Sequence, residues 1–159
     1  MEQAQNNPNQ EGKAVTTKKT FSRETSVSVN IGADPAIVWA LLTRASDFPR
    51  WNSTVVSVQG EIKAGGTIEL KSTLDEKRTF KLKVKEFVAE KRLVWGDAQG
   101  SRAYSIEKNS GGVLFSMTEK IGGPLFPLFA GMIPSFDESF ENFAADLKKE
   151  AETIQRSKK

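Results

Sequence analysis

TSVSVNIGADPAIVWALLTRASDFPRWNS, residues 25–53, contains the change of period on which the fold turns. Thr25, Val27, Val29 and Ile31 alternate with Ser26, Ser28 and Asn30, so an extended strand has one apolar and one polar face. Gly32 ends the alternation. Asp34 then offers a carboxylate for a helix N-cap, and Pro35 suits the first helical position, where its missing N–H costs nothing. Val38, Leu41 and Leu42 of this short helix are available to face a core. Residues 46–50 predict a second helical turn leading into Trp51.

Downstream, alternating segments predict strands near 53–59, 67–72, 78–88, 92–96, 102–108 and 113–121. Turn chemistry falls between them at Gly65-Gly66, Asp75-Glu76, Ala89-Glu90 and Ser110-Gly111. None of the glycine pairs belongs to a phosphate-binding pattern in a strand–turn–helix context. Gly122-Gly123-Pro124 closes the run of strands. Phe129, Ile133, Phe136, Phe140, Phe143, Leu147 and Ile154 then form one apolar stripe at helical spacing, opposite Asp137, Glu138, Glu141, Lys148, Lys149 and Glu152. Pro134 interrupts that stripe, so the continuous helix is expected to start near Ser135 and reach about Ile154.

Residues 1–20 are rich in Gln, Asn, Lys and Glu with almost no apolar content, and are read as a disordered tail. Residues 155–159 are expected to fray. One domain over 21–154 remains. Its class is α+β: a curved antiparallel sheet with two short helices, wrapped around a long C-terminal helix.

Composition removes several chemistries. The 159 residues contain no histidine and no cysteine. Ser-His-Asp and Cys-His mechanisms, histidine-ligated zinc, thiolate metal sites and disulfides are therefore all excluded. No run of eighteen apolar residues suggests a membrane span, and the N-terminal stretch has no secretory apolar core, so a cytoplasmic protein is expected. The net charge of +3 is compatible with solubility alone.

The order of elements resembles the Bet v 1-like or START-like superfamily, which includes polyketide cyclase/dehydrase-like and lipid-transfer proteins. The resemblance is carried by residues 25–53 quoted above, by GEIKAGGTIEL from Gly60, by RLVW at 92–95 and by GGPLFPLF at 122–129. It extends over roughly 21–152. It implies a helix-grip fold with a deep cavity between the concave sheet and the last helix, used by the family for apolar ligands. No cofactor is expected, and no residue matches a catalytic motif specific enough to transfer.

Alternation identifies the residues expected to face that cavity. Phe80, Leu82 and Val84 share a face, while Lys81, Lys83 and Lys85 share the other and are read as the wet convex side. The lysine row has no interleaved aromatics to stack bases, so nucleic acid is not expected as a partner. If Ser110-Gly111 is a hairpin turn, Ile106 faces Phe115, Tyr104 faces Met117, and Arg102 faces Glu119. Arg102–Glu119 has two readings, a rim ion pair or a polar anchor for a ligand, with the Tyr104 hydroxyl beside it. Trp39, Trp51 and Trp95 are read as core or cavity wall, and Phe136 and Phe140 as core-facing residues that also border the space.

The expected function is binding, transport or sequestration of a hydrophobic small molecule, lipid-like or polyketide-like, without stable membrane insertion. Two other classes stay open. One is a cofactor-independent cyclase, dehydratase or isomerase using Arg102, Tyr104 and Glu119. The other is a co-chaperone-type interaction module using the lysine-rich face.

Overall fold

A computed structural model describes residues 11–158. The chain forms one eight-stranded antiparallel sheet in the order β1-β2-β8-β7-β6-β5-β4-β3. Strands β1 (Val15–Lys18) and β2 (Ser22–Ile31) lead into α1 (Pro35–Thr43) and α2 (Phe48–Trp51), with a single 3-10 turn at Ala45–Asp47 between the helices. The two helices carry the chain to the far edge. Strands β3 (Val55–Gly60), β4 (Thr67–Ser72), β5 (Asp75–Val88), β6 (Arg92–Gly96), β7 (Gly100–Asn109) and β8 (Gly112–Gly122) then meander back until β8 pairs with β2. The chain finishes with α3 (Phe126–Phe129), a 3-10 turn at Ala130–Met132, and α4 (Asp137–Ser157). This is the helix-grip arrangement.

Register shifts interrupt β3–β4, β4–β5 and β5–β6. Each such irregularity bends and twists its strand, curving that side of the sheet around α4. The alternating side of β2 points inward: Thr25, Val27, Val29 and Ile31 are all buried. From α4, Phe140, Phe143, Ala144, Leu147 and Ala151 are buried against it. Asp137 and Glu138 in the first turn of α4 and Arg156 in its last suit the helix dipole.

The structure corrects the two chain ends. Part of the expected tail is strand β1, paired from Val15↔Ser26 to Lys18↔Arg23. Its apolar content is low because its side contacts are polar. The Thr16 hydroxyl donates to Asp137, and the Ala14 N–H donates to Glu141 Oε2 at 2.9 Å. Residues 1–10 of the expected tail lie outside the described residues. At the other end, α4 continues through Ser157 rather than fraying from residue 155. There Gln155 Oε1 accepts the Asp34 N–H at 2.9 Å, tying the last turn to the start of α1.

Local details also differ. The Asp34 carboxylate makes no cap hydrogen bond, although Asp34 is the N-cap residue and Pro35 opens the helix. Asp75 and Glu76 belong to β5, and the chain turns instead at Thr73-Leu74, where the Leu74 N–H donates to Ser72 Oγ. The apolar stripe splits at Pro134: Phe129 and Ile133 lie before α4. Among the described residues no helix is long and apolar enough to cross a membrane.

Candidate functional site

The middle of the space between sheet and α4 is filled. Tyr104, Phe115, Met117, Phe140 and Phe143 are each at most 1% exposed. Their rings pack in series, Trp95 to Tyr104 at 5.2 Å, Tyr104 to Phe143 at 5.7 Å, and Phe143 to Phe115 at 6.3 Å between centroids. Such packing leaves no room for a ligand at the centre. The open volume, about 420 Å³, lies instead toward the end of the sheet where β4, β5 and the β6–β7 turn face the segment before α4.

Three sets of residues build this cavity. Leu70, Phe80 and Leu82 come from the paired strands β4 and β5, with Leu70 directly opposite Phe80. Trp95, Arg102, Glu119 and Ile121 come from β6, β7 and β8. Phe129, Met132, Ile133, Pro134 and Phe136 close it from the α3–α4 side. Asp75, Arg78, Asp97 and Gln99 also border it. Among the described residues no cluster of acidic side chains is arranged to hold a metal ion.

The β7–β8 register is the one expected from the hairpin turn, with Arg102↔Glu119, Tyr104↔Met117 and Ile106↔Phe115. Arg102 Nε donates to Glu119 Oε1 at 2.6 Å, and both side chains are about one-fifth exposed, 18% and 19%. The Arg102 guanidinium also lies 4.9 Å from the Phe140 ring centroid. Burial works against its charge, but Glu119 and the neighbouring Tyr104 hydroxyl outweigh that and hold its pKa above the ordinary arginine value. Burial pushes the Tyr104 phenol up to about 12, an effect that Arg102 partly offsets by favouring the phenolate.

Arg23 secures the roof. Its side chain is buried, donating from Nη1 to the Ile133 carbonyl at 3.2 Å and from Nη2 to that of Pro134 at 2.7 Å. Its guanidinium sits 4.8 Å from the Phe136 ring centroid. These contacts fix the strap between α3 and α4, so the cavity has a positioned lid edge.

The structure divides the thirteen sequence candidates. Phe80, Leu82, Trp95, Arg102, Glu119 and Phe136 line the cavity. Val84, Tyr104, Ile106, Phe115, Met117 and Phe140 are buried core residues that do not border it. Trp39 lies away from it, packed edge-on against Phe87 at 5.1 Å. Alternation separates faces but not positions along a face, so it groups core and cavity residues together. Ile121 follows Glu119 on the same face and was within reach of that reading. Leu70 required the β4–β5 register, and Phe129, Met132 and Ile133 lie in a segment with no strand period to read.

Solved structures with the same fold include a conserved protein of unknown function from Enterococcus faecalis, 14% identical with a TM-score of 0.65, where 89% of this chain covers 78% of that one. A protein from Rhodobacter sphaeroides is 18% identical with a TM-score of 0.63 over 89% of this chain and 99% of its own. A START superfamily protein from Mycobacterium smegmatis is 14% identical with a TM-score of 0.59 over 84% and 99%. At such identities the likeness concerns the fold. No curated protein matches this sequence. The family described as polyketide cyclase / dehydrase and lipid transport matches residues 22–152, nearly the whole of the described domain. By its sheet order, its gripped C-terminal helix and this match, the chain belongs to the polyketide cyclase/dehydrase and lipid-transport family.

Proposed function

We propose that this protein binds an uncharged, largely apolar small molecule in the end cavity and carries or sequesters it without converting it. The observation behind this reading is a cavity of about 420 Å³ walled by Leu70, Phe80, Leu82, Trp95, Ile121 and Phe136, with the Arg102–Glu119 pair among its polar groups. A volume of this size is in the range of small-molecule sites, where an apolar wall supplies affinity and a few polar groups fix orientation.

Charge argues for a neutral ligand. The bordering groups are Asp75, Asp97 and Glu119 against Arg78 and Arg102. Arg102 is already engaged by Glu119, so a ligand carboxylate entering here would also meet carboxylates. A ligand hydroxyl or carbonyl can take a remaining guanidinium N–H without leaving any charge uncompensated.

The test is titration with N-phenyl-1-naphthylamine, a neutral apolar fluorophore. We expect saturable uptake at one probe per chain while the near-ultraviolet circular dichroism stays native. Leu82→Trp, which fills the cavity, should weaken uptake by about tenfold or more. A long-chain alcohol should displace the probe better than the fatty acid of the same length. If the folded protein takes up no neutral probe, the reading fails.

The enzymatic alternative draws on one observation, that Glu119 borders the cavity. As a proton acceptor it would be revealed by Glu119→Gln retaining ligand while losing turnover.

A further inference from the structure

From Gly122 to Phe136 the chain reads GGPLFPLFAGMIPSF, without one charged residue. The segment has two faces. Phe126 is buried, and Phe129 and Ile133 line the cavity. Leu125, Leu128 and Met132 point outward and are 65%, 80% and 78% exposed. Phe21, 57% exposed, lies beside the start of the segment, its carbonyl accepting the Gly123 N–H at 3.0 Å. Single exposed apolar residues are ordinary; three on one uncharged segment, with exposed Phe21 bonded to its start, mark a contact surface.

The ridge is held in place. Gly123 is bonded to Phe21 at one end, and Arg23 grips the Ile133 and Pro134 carbonyls at the other. Its exposed side chains are therefore presented on an anchored backbone. The hairpin beside its start is basic, while Asp137 and Glu138 follow its other end. Lys18 and Lys19 are exposed in the β1–β2 hairpin, whose turn ends at Phe21, and Lys120 is exposed two residues before Gly122. Glu24 pairs in register with Lys120, and among the described residues neither Lys18 nor Lys19 is engaged in an ion pair.

We propose that this ridge docks reversibly on an anionic lipid surface. Leu125, Leu128, Met132 and Phe21 enter the interface, while Lys18 and Lys19 meet headgroup phosphates. An apolar protrusion beside lysines matches the layering of such a surface, which places negative charge just outside hydrocarbon. Met132 borders the cavity as well as the ridge. Docking in this orientation turns the cavity mouth toward the membrane, giving an apolar ligand a route that avoids bulk water. The surface proposal stands independently of whether the cavity is occupied.

The experiment is co-sedimentation of the full chain with phosphatidylcholine vesicles, with and without phosphatidylglycerol. Binding is expected to the phosphatidylglycerol vesicles. Leu128→Asp combined with Met132→Asp should weaken it by about tenfold or more. Lys18→Glu combined with Lys19→Glu should weaken it comparably at low salt, with the difference from wild type shrinking as salt rises. Unchanged near-ultraviolet circular dichroism verifies the fold of each variant. Uptake of N-phenyl-1-naphthylamine by Lys18→Glu/Lys19→Glu should match wild type, which separates this surface from the cavity reading. No binding to anionic vesicles, or equal binding by the Leu128→Asp/Met132→Asp variant, overturns the proposal. A wild-type dimer in sedimentation velocity that Leu128→Asp disperses, without vesicle binding, overturns it in favour of a second copy of the chain.

Discussion

Tyr104 is the single tyrosine of the chain, so its ionisation is readable without interference from another phenol. Burial raises it from 10.0 to about 12 despite the adjacent Arg102. Absorbance at the phenolate band should therefore titrate near pH 12 while the fold persists. The linkage follows from the direction of the shift. Above pH 10 the unfolded chain releases this proton while the folded chain keeps it, so stability is lost from there up to about pH 12, by about 1.4 kcal/mol per unit. A midpoint near 10 would mean that the hydroxyl is open to water. For the neighbouring pair, Glu119→Ala leaves a mostly buried guanidinium without its carboxylate. Denaturant unfolding should show a loss of about 1–3 kcal/mol, between the cost of a surface pair and that of a fully buried one.

At the scale of the element, α4 is held along its length by different means. Its buried face is apolar from the first turn, where Phe140 is fully buried and stacks on Phe136 at 6.1 Å, through Phe143, Ala144 and Leu147 to Ala151. Phe140→Ala should cost about 3–5 kcal/mol in chemical unfolding, because the ring belongs to the filled part of the interior. Its C-terminal half is tied by polar contacts, with Glu152 accepting the Gly32 N–H and the Lys148 ammonium, both at 2.8 Å. Burial opposes the Glu152 charge, but these bonds prevail and lower its pKa. That contribution is present above the ordinary glutamate range and is lost as pH falls through the lowered value, an acid-side dependence that Glu152→Gln should flatten. Strand β1 meets the helix N-terminus through Thr16–Asp137 and Ala14–Glu141. Deleting residues 1–19 removes those bonds and a strand pairing, and should cost about 1–3 kcal/mol by thermal or urea unfolding. An unchanged midpoint would show that β1 adds nothing to the domain.

Across the whole molecule, the centre of the grip is packed solid and one end is open. The ring series from Trp95 through Tyr104 and Phe143 to Phe115 fills the centre. Arg23 holds the α3–α4 strap over the open end, so cavity, lid and apolar ridge occupy one region of the surface. Replacing Arg23 with Met keeps much of the side chain's apolar volume but removes both carbonyl contacts. Hydrogen exchange should then accelerate in 125–136 while the α4 amides from Phe143 onward stay protected. Uniform acceleration throughout the domain would instead make Arg23 a general determinant of stability.

Residues 25–53 and the alternations that follow determined the class of fold, because side-chain period and turn chemistry are local properties of the chain. They also determined the pairing of Arg102 with Glu119, since a tight turn at Ser110-Gly111 sets every later pair in the hairpin. Strand β1 was not legible, having neither an apolar face nor a turn strong enough to announce it. Its partners, β2 and α4, exist only in the folded protein. The place of the cavity was decided by tertiary structure alone. Tyr104 and Phe80 are both aromatic residues on inward faces, yet one is locked in the ring series and the other borders open space. What separates them is how much volume α4 and its strap fill above each point of the curved sheet, and volume left between distant elements has no local signature in a sequence.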